Sequence, residues 1–349
     1  MNHLFDKVKN LPSTPGVYLM KDSRADVIYV GKSKNLKSRV QSYFYHSKAH
    51  SRKVEKLVKT LQDFDFIQTD TEFEAFMLEC QLIKEMKPYF NKLMKNPLSY
   101  TYIVIKKDEE IHRVEVSHSI SKSKKQLYFG PFTSKSTVEK ALEGFKDCYK
   151  INCSSVTYSP CLNYAIGKCI GMCRGGTAID QYHAIVEKLI SLLDRTDMSL
   201  IEEMQEKMAA AAESFDFETA AKYRNTIKYL TTLINKERMI EFTEENHNLI
   251  MVEHISEDCC KIFLVKRNKI LFSETYSTSD DTIFTNITSN IMKYFRTPCS
   301  TEKLTPEEID EAQIIYRYLS STNCSYRILS EKCLHSESLL ENEISKLFS

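Results

Sequence analysis

The feature that most constrains this chain is a pair of short apolar segments that each carry a tyrosine and lead into a helix. The first segment spans residues 16–20 and holds Tyr18, and the second spans residues 27–31 and holds Tyr29. Apolar runs on either side of a polar turn predict two adjacent strands. Gly31 is expected to let the backbone bend sharply before the helix. The sequence therefore predicts a hairpin and a helix that bring two phenols together.

The helix that follows places basic and aromatic side chains on adjacent turns. Asn35 is a good N-cap, and Arg39 and Tyr43 follow at a spacing of four residues. Lys32 and the backbone amides around it precede the helix N-terminus, where phosphate is favoured. Phenols and guanidinium groups also suit phosphate oxygens. The pattern indicates an anion site, and the alternative is a hairpin whose tyrosines are amphipathic core residues.

This stretch resembles the GIY-YIG nuclease motif. Its two halves are Gly-Val-Tyr at residues 16–18 and Tyr-Val-Gly at residues 29–31. The surrounding residues are close to the form found in UvrC, the nuclease subunit of bacterial nucleotide excision repair. The resemblance implies a catalytic set that includes Tyr18, Tyr29, Lys32, Arg39 and Tyr43.

Basic residues are concentrated around this motif. The net charge of the 349-residue chain is +1, but basic residues far outnumber acidic ones within residues 21–59. Such a local excess can supply phosphate contacts. The alternative is a solvated helix face. The candidate DNA-binding residues are Lys32, Lys34, Lys37 and Arg39.

A later helix is expected to carry a metal-binding carboxylate. Residues 71–87 have an amphipathic pattern that Pro88 ends. Glu79 lies at the edge of the core face of this helix. It is either a half-buried glutamate paired with a lysine or a hard oxygen ligand for Mg²⁺ or Mn²⁺. The expected core face consists of Ala75, Leu78, Leu82 and Met86.

The same segment is similar to the distal part of the UvrC nuclease domain. The resemblance implies that Glu79 binds the single divalent metal, with Glu74 as the alternative ligand, and that Asn91 completes the site.

Farther along, residues 99–133 have the alternating pattern of an exposed sheet, and residues 135–148 have that of a helix.

Four of the eleven cysteines form a cluster in the middle of the chain: Cys153, Cys161, Cys169 and Cys173. Such clustering indicates thiolate ligation in a chain without an export signal, which is expected to occupy a reducing cytoplasm. The spacing of these four cysteines does not match that of a zinc ribbon. It suits an iron–sulfur cluster equally well, so spacing alone does not distinguish iron from zinc. Small buried cysteines are the other interpretation. The spacing of Cys169 and Cys173 is one at which two residues can lie one helical turn apart.

The cysteine segment also resembles the UvrC cysteine motif. In that family the cluster is [4Fe–4S], so the resemblance implies an iron–sulfur cofactor, with zinc as the alternative. It also implies that Cys148 lies outside the ligand set, because Cys153 takes the first position.

Residues 177–240 are expected to be helical, with a break at residues 214–218. Phe215, Phe217 and Tyr223 give this short hairpin more apolar surface than so small a helical pair buries by itself. These rings either pack against the rest of the chain or serve a partner. The segment closely resembles the UVR motif, which implies that they bind UvrB.

The last hundred residues have the composition of strands and helices, with strands predicted from residue 249 and no role assigned. No run of eighteen apolar residues occurs, so no membrane association is expected. We expect an α+β fold with four parts. The parts are a nuclease domain at 1–98, a cysteine-containing region at 99–180, a helical UVR region at 181–240, and an α/β region at 241–349. In overall plan the chain resembles Cho, a short UvrC homologue.

The resemblance implies a cytoplasmic endonuclease that makes one metal-dependent incision 3′ of a lesion in damaged double-stranded DNA loaded by UvrB. Tyr29 or Tyr18 would take a proton from the attacking water, with its pKa lowered by Lys32 and Arg39. Tyr43 and Asn91 would position these groups, as their places in the motif imply. The rival interpretations are a non-cutting factor that binds UvrB and DNA, and a mobile-element GIY-YIG endonuclease.

Overall fold

The computed structural model describes residues 2–44, 51–91, 94, 100–107, 111–120, 126–152, 161–280, 282–296, 303–321 and 324–348. The chain forms two compact units. One unit combines Met1–Pro97 with Phe242–Ser349, and the other is Leu98–Glu241. Both contain helices and antiparallel sheet, which confirms the α+β class. Within the described residues, no helix combines the length and the apolar character that a membrane crossing needs.

The N-terminal part of the first unit is a three-stranded antiparallel sheet in the order β2-β1-β3, with helices around it. The predicted hairpin is confirmed, and Asn35 caps α2 by accepting a hydrogen bond from the Ser38 amide. The elements are α1 (Asn2–Lys9), β1 (Gly16–Lys21), β2 (Val27–Ser33), α2 (Leu36–Gln41), α3 (Arg52–Thr60), β3 (Asp63–Gln68) and α4 (Glu72–Met86).

The second unit begins with a three-stranded antiparallel sheet in the order β5-β4-β6. The prediction of an exposed sheet is wrong, because α5 and α7 cover one of its faces and leave Ile103 and Ile105 fully buried. The elements are β4 (Thr101–Lys107), β5 (His112–Ser117), β6 (Gln126–Phe132), α5 (Lys135–Cys148), α6 (Leu162–Ala165), a 3₁₀ turn (Met172–Arg174), α7 (Thr177–Leu193), α8 (Ser199–Glu213) and α9 (Phe217–Glu244).

The C-terminal part of the first unit is a four-stranded antiparallel sheet in the order β10-β7-β8-β9. The strands predicted from residue 249 onward are confirmed, and a helix that the sequence did not reveal follows β10. The elements are β7 (Asn248–Ser256), β8 (Cys259–Lys266), β9 (Lys269–Ser277), α10 (Ile283–Tyr294), a 3₁₀ turn (Pro306–Glu308), α11 (Ile309–Leu319), β10 (Ser325–Leu329) and α12 (Glu337–Ser345).

Helix α4 is buried on two faces within the first unit. One face packs Ala75, Leu82 and Ile83 against β1 and β2. The other packs Phe73 and Cys80 against β7, β8 and α11. The predicted core face is therefore incomplete, and it is wrong at Met86, which is 44% exposed because it lies at the end of the helix.

Candidate active site

The phenol of Tyr18 passes directly over Gly31 of the neighbouring strand. The two residues are paired across β1 and β2, and a Cβ atom on Gly31 would lie 2.4 Å from Tyr18 Oη. Gly31 continues β2 and makes no sharp bend, so the predicted reason for this glycine is wrong. The glycine leaves the space that a tyrosine ring needs at the centre of the sheet.

Tyr18, Tyr43 and Arg39 form one hydrogen-bonded group. The hydroxyl oxygens of the two tyrosines lie 2.9 Å apart. The Arg39 guanidinium donates to both, from Nε to Tyr18 and from Nη2 to Tyr43, at 3.3 Å each. Both tyrosines are buried, whereas Arg39 as a whole is exposed. The tyrosines therefore orient a guanidinium that remains accessible to a ligand.

Tyr29 joins this group from the edge of the sheet. Its ring centroid lies 6.2 Å from that of Tyr18, and the Tyr43 phenol is among the neighbours that raise its pKa. Tyr29 is half-buried, whereas only 1% of Tyr18 is exposed. Lys53 Nζ lies 5.4 Å from the centre of the Tyr29 ring, a basic neighbour that the motif did not indicate. Of the two candidate bases, Tyr29 is the one within reach of solvent.

Burial raises the pKa of both candidate phenols. For Tyr18 the main cause is desolvation, followed by the nearby Tyr43 and Tyr29 phenols, and Arg39 opposes this only in part. Desolvation also dominates at Tyr29, whose pKa is raised well above its ordinary value. The prediction that basic neighbours lower the pKa of these tyrosines is therefore wrong, because desolvation outweighs the opposing effect of Arg39.

The Lys32 side chain turns away from the tyrosines. Its ammonium group pairs with Glu72 at 2.7 Å and lies 3.3 Å above the centre of the Phe76 ring. Neither partner was predicted from the sequence. Glu72, Phe76 and Glu79 have the spacing that places residues on one face of a helix, and this was the available signal.

The backbone amide of Lys32 donates to Glu79 Oε1 at 3.0 Å, which joins β2 to α4. The Lys32 amide of the predicted anion site is thus already bonded to a carboxylate. Glu79 is half-buried. Desolvation raises the pKa of this carboxyl, and the Lys32 amide and the charges of Lys32 and Arg39 offset part of the rise.

Glu74, the alternative metal ligand, faces a different neighbour. Its carboxylate pairs with Lys261 Nζ at 2.6 Å and also accepts from the Asp70 amide at 3.1 Å. Lys261 belongs to β8, on the C-terminal sheet. The structure therefore engages Glu74 with Lys261 of the C-terminal sheet, whereas Glu79 bonds to the strand that carries Tyr29.

Asn91 is buried and bonded to the backbone of β2. Its Oδ1 accepts from the Val30 amide, and its Nδ2 donates to the Val30 carbonyl, both at 2.9 Å. These contacts use the amide group to fix the strand between Tyr29 and Gly31. The contacts are those of a positioning residue and do not join Asn91 to Glu79.

The remaining predicted DNA-binding lysines flank α2. Lys34 is exposed and Lys37 is half-buried. They lie in sequence on either side of the N-cap Asn35, near the accessible Arg39. Charged side chains at these positions can meet a phosphate backbone that approaches Arg39.

The cysteine segment is only partly described, because Cys153 lies outside the described residues. Cys169 and Cys173 are buried and Cys161 is half-buried. Cys169 sits in an extended bridge with Ile151, and Cys173 lies in the 3₁₀ turn, so the two do not share one helical turn. Across the described residues, no three acidic, histidine or cysteine side chains are grouped as metal ligands.

The turn between α8 and α9 presents two aromatic rings to solvent. Phe215 is 80% exposed and Phe217 is 66% exposed, and their ring centroids lie 6.1 Å apart. Tyr223 differs, because it is half-buried against the core of its own unit. The structure therefore separates Tyr223 from the exposed aromatic pair. The helix after the turn is also longer than predicted, running from Phe217 to Glu244.

Three family models match the chain in succession. Residues 14–92 match the UvrC-like GIY-YIG domain, residues 100–192 the UvrC/Cho excinuclease middle domain, and residues 199–232 the UvrB/uvrC motif. The first unit thus contains a domain of the GIY-YIG nuclease class, built around the tyrosine hairpin. Over the residues that these models match, the chain belongs to the UvrC family.

Relatives and a solved structure bear the same family name. The chain is 34% identical over 334 residues to the UvrABC system protein C of Alkaliphilus oremlandii, covering 92% of this chain and 54% of that protein. The corresponding protein of Clostridioides difficile is 34% identical over 331 residues, covering 90% and 54%. The chain therefore spans about half the length of these relatives.

One solved structure is the GIY-YIG N-terminal endonuclease domain of UvrC from Thermotoga maritima, bound to its catalytic divalent cation, magnesium. It is 33% identical to this chain, with a TM-score of 0.24. The match covers 26% of this chain and 99% of that domain.

Proposed function

We propose that this chain is a nuclease of nucleotide excision repair that cuts one strand of damaged double-stranded DNA by metal-assisted hydrolysis. The observation that carries the proposal is that a UvrC-like GIY-YIG hairpin and two helices beside it supply an accessible arginine on α2, a half-buried phenol on β2 and a half-buried carboxylate on α4. Metal-assisted hydrolysis needs a group that binds phosphate, a group that orients water and an oxygen ligand for a cation. Arg39, Tyr29 and Glu79 supply these three.

Glu79 is the residue that would hold Mg²⁺ or Mn²⁺. A hard carboxylate oxygen suits either ion, and a site with one protein carboxylate suits Mg²⁺, which keeps several waters and binds substrate phosphate directly. Burial raises the pKa of Glu79, and a divalent cation would favour its charged form. The bound ion would neutralise charge on the scissile phosphate and make a coordinated water more acidic.

Arg39 binds the phosphate in this proposal. A guanidinium group matches phosphate oxygens and stabilises the charge that develops as the bond breaks. The buried hydroxyls of Tyr18 and Tyr43 accept from its nitrogens and so fix its direction before the DNA arrives. Preorganised donors of this kind cost little reorganisation during the reaction.

Tyr29 orients the attacking water. It is preferred over Tyr18 because Tyr18 is buried and its hydroxyl contacts both Tyr43 and Arg39. The raised pKa keeps Tyr29 a neutral phenol at neutral pH. It therefore accepts a hydrogen bond from the water rather than acting as a preformed phenolate base.

Lys32 and Asn91 hold the strand that carries these groups. The Lys32 amide fixes Glu79, and its ammonium group pairs with Glu72 on the same helix. Asn91 binds the backbone of Val30, next to Tyr29. Lys34, Lys37 and Arg39 remain the proposed contacts to the DNA backbone, which they would bind through phosphates rather than bases.

UvrB is the proposed partner, through the hairpin that matches the UvrB/uvrC motif. Two exposed phenylalanines at one turn suit a partner that buries them, since aromatic anchors dominate many interfaces. The proposal includes loading by UvrB and incision on the 3′ side of the lesion. It also includes a cytoplasmic location, because a repair nuclease acts where the DNA and its partner are. Tyr223 would support the hairpin from within its own unit.

The cysteine motif is proposed to bind a [4Fe–4S] cluster, with zinc as the alternative. The proposed ligands are Cys153, Cys161, Cys169 and Cys173. The Gly171 amide lies 3.4 Å from Cys169 Sγ, a contact that suits a thiolate, and Gly167 and Gly171 have positive φ angles that loop the backbone around this segment. The described cysteines do not by themselves form a ligand group. A cluster would therefore require rearrangement of this segment together with Cys153.

The test is incision of a duplex that contains one lesion. The purified chain is incubated with Mg²⁺ or Mn²⁺, with and without UvrB, and the nicked strand is sequenced to single-nucleotide precision. We expect one nick 3′ of the lesion that depends on the metal and on UvrB. Binding to DNA and UvrB without a nick would contradict the proposal and favour the non-cutting accessory factor.

A further inference from the structure

We infer that the C-terminal α/β region, from Phe242 onward, positions the metal-binding helix of the nuclease domain. The inference rests on the proposed function of Glu79. The sequence assigned no role to this region, yet it forms one compact unit with the nuclease domain. Helix α4 is the shared element, since its two buried faces pack against different sheets.

The first contact fixes the beginning of α4. Lys261 Nζ, on β8, pairs with Asp70 Oδ2 at 2.5 Å and with Glu74 Oε1 at 2.6 Å. Only 7% of Lys261 is exposed. A buried ammonium group depends on its partners, because an unpaired charge in that position is costly. The pair therefore holds the first turn of α4 against the C-terminal sheet.

The second contact involves Phe73, also in the first turn, and Cys80 in the body of the helix. The fully buried Phe73 ring packs edge-on against Phe263 of β8, at 5.1 Å between centroids, and against Tyr318 of α11, at 4.8 Å. Aromatic pairs at these distances have preferred geometries, so they restrict sliding more than aliphatic contacts do. Cys80, two turns later, is buried in the same cluster.

The third contact lies near the end of α4. Lys84 Nζ pairs with Glu311 Oε2 of α11 at 2.5 Å and also donates to the Glu307 carbonyl. Helix α4 thus contacts the C-terminal region from its first turn to its last. Glu79 lies between these ends and is adjacent to Cys80, so any shift of the helix moves the carboxylate relative to the Lys32 amide.

The central experiment compares two neighbouring side chains on β8 in the full chain. Phe263 and Leu264 are both fully buried, but Phe263 faces α4 and Leu264 faces α10 and α12. Mn²⁺ affinity is measured by the electron paramagnetic resonance of the free ion, alongside the melting temperature and the Mn²⁺ concentration for half-maximal nicking. Phe263→Ala should weaken Mn²⁺ binding about tenfold, because small displacements of a site group have large effects.

Leu264→Ala is the matched control. It should lower the melting temperature to a similar extent and leave Mn²⁺ affinity within about twofold, because it loosens the other face of the same sheet. Equal loss of affinity in both variants, or no loss in Phe263→Ala, would overturn the inference.

A second pair of variants addresses the case in which Phe263→Ala does not fold. Lys261→Met should weaken Mn²⁺ binding, and Lys261→Arg should restore most of it, since the charge returns to Asp70 and Glu74. Unchanged affinity in Lys261→Met would overturn the inference. A wild-type chain that binds Mn²⁺ and never nicks DNA would contradict the proposed function alone. The Mn²⁺ affinities of the variants would still test whether the C-terminal region positions α4.

Discussion

Asn91 directs both polar atoms of its side chain to one residue, Val30. The Val30 amide donates to Oδ1, the carbonyl accepts from Nδ2, and both distances are 2.9 Å. Val30 lies between Tyr29, which faces the site, and Gly31, which makes room for Tyr18. A side chain 61 residues away in sequence therefore fixes the backbone on which the tyrosine group depends.

Replacing Asn91 should damage both stability and incision. Asn91→Ala leaves the buried amide and carbonyl of Val30 without these partners, at a cost of about 1–3 kcal/mol for each group. Nicking should fall more than the loss of folded protein explains, because Tyr29 loses its fixed backbone. Urea unfolding and single-turnover nicking measure the two effects. Tyr89→Ala is the control, since Tyr89 is 80% exposed and should change stability by less than about 0.5 kcal/mol.

The buried tyrosines predict a loss of stability in alkali. Burial raises the pKa of Tyr18 and Tyr29 in the folded chain, whereas an unfolded phenol titrates near about 10. The stabilisation is therefore fully present below about pH 10, and it decreases above that pH as the unfolded chain releases protons that the folded chain retains. Urea midpoints between about pH 8 and pH 11 should show this decrease.

Tyr18→Phe is the matched variant for the alkaline decrease. It removes one of the phenols whose pKa burial raises, so its stability should fall less steeply above about pH 10 than that of the wild type. Phenolate absorbance from these tyrosines in the folded chain at neutral pH would contradict the raised pKa values. It would favour a tyrosine that acts as a preformed phenolate base.

Local sequence patterns were enough to predict the hairpin, the Asn35 cap and the helix over Lys135–Cys148, because each depends on neighbouring residues. They also indicated which types of side chain gather at the site. The tyrosine hairpin and Arg39 come together as expected, because β1, β2 and α2 follow one another closely in the sequence.

Long-range packing explains most of what the sequence did not reveal. Lys32 pairs with Glu72 and Asn91 with Val30, and both bonds join residues 40 or more positions apart. The second buried face of α4 required knowledge of a sheet that begins more than 150 residues later. The direction of the tyrosine pKa shift also depends on burial, which the motif alone does not report.

The exposed aromatic pair predicts selective loss of partner binding. Burying a phenylalanine ring in a partner is worth about 1.5–3 kcal/mol, so Phe217→Ala should weaken UvrB binding about ten- to a hundredfold. The melting temperature should barely change, because Phe217 is 66% exposed. Tyr223→Ala is the comparison, and it should lower stability through the loss of its own packing. A less stable Phe217→Ala with unchanged UvrB affinity would contradict docking.

The cysteine motif predicts a coloured protein. Chain purified without oxygen should be brown and absorb near roughly 400 nm, as thiolate-bound iron–sulfur clusters do. Replacing Cys173 by serine should remove the colour, whereas Cys148→Ser should retain it, because Cys148 contacts Thr226 on α9 and is placed outside the ligand set. Iron and sulfide analysis provides the measurement. Colourless protein with stoichiometric zinc would establish the alternative cofactor.

The most direct test of the central claim is the metal dependence of incision by Glu79→Gln. The substitution keeps the size of the side chain but removes the charge that would bind Mg²⁺ or Mn²⁺. Glu85→Gln is the control on the same helix, because Glu85 is exposed and contacts Gln81. We predict that Glu79→Gln loses nicking by at least about a hundredfold while it still binds DNA, and that Glu85→Gln nicks like the wild type. Undiminished nicking by Glu79→Gln would contradict the account.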